Sequence, residues 1–250
     1  MTVQADAFDV LSAQGADGVP STPVAPDGAA MSTVPCIPAD PAAPAARMLD
    51  AVPSADVRAA AAAALARVRA RRGAHDDLWV FGYASLIWRP DFEPAETRSA
   101  VVHGFHRALA IRSCINRGSP ECPGLVFALV AGGSCRGVAL RIEGSRADAE
   151  LERLWVREMP NAAYTPKWLP CRTPAGVVRA LAFTLDRTSP GHVGTPGDAA
   201  LLHVLRTARG RYGSTLDYLL DTARCLRARG IRDRRVERLA ALAQAVRSDG

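Results

Sequence analysis

Between Leu78 and Leu185 the chain is written in short apolar runs punctuated by Gly and Pro, whereas Asp198 to Val246 reads as three successive helices. Strands gathered ahead of a helical block do not alternate with crossover helices. The expected class is therefore α+β with largely antiparallel strands, not a doubly wound parallel sheet. The strand-like runs are Leu78 to Gly82, Ser99 to Ser113 with a bend at Gly104, Leu125 to Val130, Cys135 to Ile142, Trp168 to Arg172 and Val177 to Leu185. The spacing predicts a hairpin across Ala131-Gly132-Gly133-Ser134 and another turning at Pro174-Ala175-Gly176. Arg146 to Glu158 is predicted helical with Ser145 as cap. The final helices are expected at Asp198 to Arg209, Ser214 to Arg229 and Asp233 to Val246, punctuated by Gly210, Gly213 and Gly230.

Ahead of this block stand two other segments. Residues 1–53 are rich in Ala, Pro, Ser, Gly and Asp, with few large hydrophobes. Such a composition cannot offset its ordering entropy by burial, so a disordered tail is expected. Residues 54–73 read as a basic helix, with Val57 to Arg72 as its body, Ser54 or Asp56 as cap and Gly73 as stop. Its arginines suit a solvated helix resting loosely on the domain better than a nucleic-acid contact. The domain carrying the chemistry is expected over residues 78–248.

Charge and cysteine content narrow the function classes. A formal charge of +6 invites a nucleic-acid reading, yet 30 of the 31 basic residues are arginine, spread along the chain and mixed with acids. That is a compositional habit rather than a binding stripe, so no nucleic-acid partner is expected. No run of eighteen apolar residues exists, so no membrane span is expected. The six cysteines form no C-x-x-C pair, and the first thirty residues carry four aspartates and no Lys or Arg. Reduced thiols and a cytoplasmic location are the expectation. His103 and His106 stand apart from carboxylates and cysteines, so no metal site and no cofactor are implied.

Two stretches carry candidate chemistry. In L-W-V-F-G-Y-A-S-L-I-W-R-P, Leu78 to Pro90, a buried strand ends in a small and polar tripeptide. Backbone N–H groups left unpaired at such a strand end can cradle an anion. An ordinary turn would look the same in sequence. In L-W-V-R-E-M-P-N-A-A-Y-T-P-K-W-L-P, Leu154 to Pro170, Glu158 ends an amphipathic run among Trp155, Met159, Tyr164 and Trp168. A carboxylate among apolar groups loses solvation, which raises its pKa and suits it to proton transfer near neutral pH. A solvated charge at a helix end is the plain alternative.

Four blocks together, F-G-Y-A-S-L-I-W-R-P, W-V-R-E-M with A-Y-T-P-K-W, R-G-S-P-E-C-P-G-L-V-F-A-L and G-G-S-C-R-G-V-A, resemble the ChaC-like, glutathione-specific γ-glutamylcyclotransferases. The resemblance runs from about Leu78 to near the C-terminus. It implies a γ-glutamylcyclotransferase-like fold, a small mostly antiparallel β-barrel with surrounding helices. It also implies cleavage of glutathione to 5-oxoproline and Cys-Gly, with Glu158 as general acid and base. Tyr83, Ala84, Ser85 and Leu86 would hold the glutamyl carboxylate or the developing oxyanion, and Tyr164 and Tyr218 would orient the substrate. Ala84 stands where the family more often has glycine. If that glycine serves a positive φ, Ala84 is strained; if it serves only close approach, alanine fits. A cyclotransferase for another γ-glutamyl compound, or a non-enzymatic regulator of cation transport on the same fold, stays open, because fold alone does not settle function.

Overall fold

The computed structural model describes residues 53–159 and 163–248. The tail expected over residues 1–53 and Cys36 lie outside the described residues, apart from Pro53. Helix α1 (Ala55–Ala70) precedes strand β1 (Leu78–Gly82), the one-turn helix α2 (Ser85–Trp88), and the long strands β2 (Glu96–Ser113) and β3 (Gly124–Ile142). Helix α3 (Gly144–Glu158), strands β4 (Thr165–Thr173) and β5 (Gly176–Leu185) and helix α4 (Asp198–Thr207) follow. A two-rung ribbon of β6 (Arg209–Gly210) and β7 (Gly213–Ser214) leads into α5 (Thr215–Ala228) and α6 (Arg234–Ser248). The strands close into a barrel in the order β1-β3-β2-β4-β5. Most pairs are antiparallel; β5 meets β1 and β3 in parallel at short stretches.

Strand β1 is apolar throughout because both of its faces are buried. Leu78 and Val80 pack with Leu151, Leu154 and Trp155 of α3 and with Phe183. Phe81 turns the other way, into a cluster with Phe127, Leu129, Val138 and the inner faces of α5 and α6. Alternation along β5 is the same: Leu181 and Phe183 face α3, Ala180 and Ala182 face the barrel interior.

The expected hairpin across Ala131–Ser134 is not a turn. β3 runs unbroken for 19 residues against β2, from Glu96↔Arg141 to Ser113↔Gly124. Gly132 and Gly133, with φ of 104° and 74°, sit opposite the single residue Gly104, between the pairs His103↔Ser134 and Phe105↔Ala131. The glycines supply the positive φ of a bulge that bends the ribbon. The expected β4–β5 hairpin forms, pairing Thr165↔Thr184 through Thr173↔Gly176.

Helix α3 starts differently from expectation. Ser145 does not cap it; the helix begins two residues earlier than expected, at Gly144 with Glu143 as N-cap, and the Gly144 N–H donates to Asp77 Oδ1 at 2.9 Å. A Cβ at Gly144 would lie 2.0 Å from the His75 carbonyl, so only glycine fits.

Helix α1 is docked on α3. Ala64 and Val68 are buried in the Trp155 cluster, the Trp155 indole donates to the Ala61 carbonyl at 3.1 Å, and Arg72 pairs with Asp148 at 2.7 Å. Its N-cap is Ser54, whose hydroxyl accepts from Val57 N.

Candidate active site

The end of β1 and the end of α3 meet at one mouth of the barrel. β1 delivers Tyr83, and the chain then turns through Ala84 into α2, whose first turn offers N–H groups with no intrahelical partner. α3 delivers Glu158 as its last residue. Helix α5 delivers Tyr218. The Ser214 hydroxyl caps α5 with an Asp217 capping box, and Thr215 Oγ1 accepts from Leu125 N at 2.9 Å, which pins the helix start against β3. Tyr164 leads into β4.

Tyr83, Ala84, Ser85, Leu86, Glu158, Tyr164 and Tyr218 all line one cavity of about 30 Å3, walled also by Phe127 and Phe183. The cavity is the floor of a cleft of about 460 Å3, since Ser85, Glu158, Tyr164 and Tyr218 line both. Every residue given a site role from the sequence therefore reaches the same space, whereas Trp155, Met159 and Trp168, expected around Glu158, pack in or against the α3 cluster instead.

The Glu158 side chain is 13% exposed, and its Oε1 lies 3.0 Å from Arg157 Nε. Burial pushes its pKa above the usual carboxylate range, against the opposing pull of Arg157. Arg157 also donates to Ser85 Oγ at 3.1 Å, to Asp91 Oδ2 at 2.6 Å and to the Arg89 carbonyl at 2.5 Å. One guanidinium thus ties the candidate acid–base group to the loop after β1.

The three phenols are neutral donors. Burial pushes Tyr83 and Tyr164 well above their ordinary pKa and Tyr218 up to about 12. Tyr83 donates to the Phe183 carbonyl at 3.1 Å and shares a hydrogen bond with Tyr164; Tyr218 accepts from Phe127 N at 3.2 Å. With the tyrosines held as phenols, Glu158 is the group in this cavity that can shuttle a proton near neutral pH.

Behind the loop sits Arg107, 2% exposed, which donates to the carbonyls of Tyr83 and Arg136 and pairs with Asp233. Asp233 in turn accepts from the backbone of Arg235 and Val236 at the start of α6. Ala84 has φ −144°, outside the left-handed region, so alanine carries no glycine-type strain there.

Sequence reasoning missed Arg157, Arg107, Asp233, Phe127 and Phe183. Arg157 is adjacent to Glu158 in W-V-R-E, but neighbours on a helix do not normally face each other, and this pair forms at the last two residues of α3. The others come from distant strands and carried no local signal. Among the described residues no cluster of three or more His, Cys, Asp and Glu could hold a metal ion.

A closed five-stranded barrel with a partly buried carboxylate and three phenols lining one cavity carries the groups that proton transfer on a small molecule requires. Its fold matches that of a γ-glutamyl cyclotransferase specific to glutathione from yeast, at TM-score 0.62 and 21% identity over 68% of this chain and 96% of that one. Residues 78–249 match the family model described as ChaC-like protein, and the chain belongs to that family. The glutathione-specific γ-glutamylcyclotransferase of Escherichia coli K12 is 33% identical over 181 residues, 72% of this chain and 77% of the relative. Glutathione-specific γ-glutamylcyclotransferase 1 of Homo sapiens is 34% identical over 151 residues, 58% of this chain and 68% of the relative.

Proposed function

We propose that this chain is a glutathione-specific γ-glutamylcyclotransferase that cleaves glutathione to 5-oxoproline and Cys-Gly. Membership of the ChaC-like family supports the reaction class, and the names of the E. coli and human relatives support glutathione as substrate. The observation that carries the reading is the partly buried Glu158 that shares one cavity with the Tyr83–Leu86 segment.

The α-amine of the glutamyl group attacks its own γ-carbonyl, so nucleophile and electrophile arrive on one fragment. The protein's task is to hold the cyclising conformer, a form of proximity worth several kcal/mol of barrier. Oε1 of Glu158 is held by Arg157, which leaves Oε2 to take the proton from the ammonium. The amine nitrogen then bonds to the γ-carbon, and the carbonyl oxygen becomes an oxyanion. N–H groups at Ser85 and Leu86 and the Ser85 hydroxyl are the donors suited to it, or to the glutamyl carboxylate. Because Ser85 Oγ already accepts from Arg157, its own hydrogen is free for the substrate. Glu158 returns that proton to the departing amide nitrogen and takes the second one from the ring-closing nitrogen, which is cationic after the attack. The oxyanion re-forms the carbonyl as the γ-carbon–nitrogen bond breaks, and Cys-Gly leaves with its amine taking up the remaining proton. Tyr218 orients the substrate as a neutral donor, and Tyr164, whose hydrogen goes to Tyr83, orients it as an acceptor.

No described helix is long and apolar enough to cross a membrane. We place the enzyme in the cytoplasm and assign it no nucleic-acid partner, since many of its arginines are committed to ion pairs within the fold. Purified protein given glutathione should release 5-oxoproline and Cys-Gly in equal amounts. Failure to form 5-oxoproline from glutathione, with turnover of another γ-glutamyl compound, would reassign the substrate.

A further inference from the structure

Outward from Glu158, the 460 Å3 cleft is lined by five arginines and only two carboxylates. Both carboxylates are engaged, Glu158 by Arg157, and Asp91 by Arg89 and Arg157. Three of the arginines have no ion pair among the described residues, and one of these, the buried Arg117, is occupied by the Tyr212 carbonyl and by the Tyr218 ring, whose centre lies 5.0 Å away. Arg112 has no ion pair among the described residues, and its Nε is buried without a hydrogen-bond partner there. Arg211 likewise has no ion pair among the described residues; it reaches the side-chain oxygen of Asn116 at 3.1 Å and lies 4.5 Å from the centre of the Tyr212 ring.

These two guanidiniums come from neighbouring segments. Arg112 is near the end of β2, and the backbone of Arg211 donates to the Ile115 carbonyl at 2.7 Å, three residues further on. Among the described residues most of their side-chain N–H groups have no hydrogen-bond partner. The Arg112 Nε, buried without an acceptor, is unfavourable, whereas Arg211 is exposed and its N–H groups are open to solvent. The acceptor whose geometry best matches a guanidinium fork is a carboxylate or phosphate.

If Glu158 works on a γ-glutamyl bond, the part of the substrate projecting outward is the leaving group. Resting on that reading, we propose that the outer cleft is a carboxylate subsite, in which Arg112 and Arg211 hold the C-terminal carboxylate of the departing Cys-Gly. The site then selects γ-glutamyl peptides with a free C-terminal carboxylate over γ-glutamyl amines, amides and esters.

The test compares glutathione with its glycine monoethyl ester, following 5-oxoproline. Wild-type enzyme should show a KM about tenfold or more higher for the ester, because a charge-assisted contact is lost. Arg112→Gln and Arg211→Gln should each raise KM for glutathione by about tenfold, with little further loss on the ester, whose masked carboxylate has already lost the contact. Should Arg112→Gln fail to fold, Arg211→Gln and the wild-type comparison decide. Equal wild-type kcat/KM for acid and ester would overturn the subsite while leaving the cyclotransferase reading intact. Equal losses on both substrates in the two variants would overturn the assignment to these arginines. No 5-oxoproline from either substrate would overturn the reading and the subsite with it.

Discussion

Arg157 Nε lies 3.0 Å from Glu158 Oε1, and the same guanidinium reaches the Ser85 hydroxyl 3.1 Å away. The carboxylate is therefore under two opposed influences, burial raising its pKa and Arg157 restraining the rise. A base must be ionised to act, so activity should fall as pH drops through the Glu158 pKa. Arg157→Gln removes the restraint. Its acid limb should move to higher pH, and kcat should fall at neutral pH. A pH–kcat profile superimposable on wild type would show that Arg157 does not act on Glu158.

At Ala84 the negative φ makes glycine unnecessary. Ala84→Gly should leave activity within about twofold. It should lower stability by about 0.4–1 kcal/mol, through the greater entropy of the unfolded chain. Denaturant melts check this, and a variant that melts higher would contradict it.

Arg107 fixes the loop from behind, by its bond to the Tyr83 carbonyl and its pairing with Asp233. Removing one partner of a buried pair costs about 3–5 kcal/mol. Arg107→Met should lose stability on that scale, because the Tyr83 and Arg136 carbonyls also lose a donor. A loss under about 1 kcal/mol in denaturant unfolding would mean the pair is dispensable.

Two truncations separate the N-terminal segments. Removal of residues 1–50 should leave activity and melting temperature nearly unchanged, because that Ala/Pro-rich stretch offers few large apolar side chains to bury. Removal through Gly73 strips Ala64 and Val68 from the Trp155 cluster and should lower the melting temperature clearly. The reverse pattern would show that the tail, not α1, supports the domain.

Much of this was legible in the chain. The Leu78–Gly82 strand, the β4–β5 hairpin and the three late helices follow from apolar runs and Gly punctuation, because local patterning is where burial leaves its mark. Tyr83 to Leu86, Glu158, Tyr164 and Tyr218 were read from separate stretches and meet in one cavity. Gly132-Gly133 was misread as a turn because positive φ serves a bulge equally well, and only the pairing with β2 distinguishes them. Ser145 gave way as cap to Glu143, and the helix start is held by Asp77, a residue 67 positions earlier than Gly144, which no local rule reaches. The same holds for Arg107 and Asp233, 126 positions apart. Long-range polar partners are set by tertiary geometry, not by spacing along the chain.

The central claim is that Glu158 carries the proton between the two nitrogens of a γ-glutamyl bond. Glu158→Gln keeps the shape of the side chain but cannot carry that proton. Because folding raises the Glu158 pKa, its ionised form is disfavoured in the folded state. Whatever stability this group contributes is present below its unfolded pKa and is lost as pH rises through the folded value. The amide should therefore melt no lower than wild type at pH 7. The decisive measurement is 5-oxoproline formation from glutathione by wild type and Glu158→Gln, with thermal melts alongside. The account predicts steady turnover by wild type, and a loss of about 10²-fold or more in a variant that is fully folded. A folded Glu158→Gln protein that keeps more than about a tenth of the wild-type rate would contradict it.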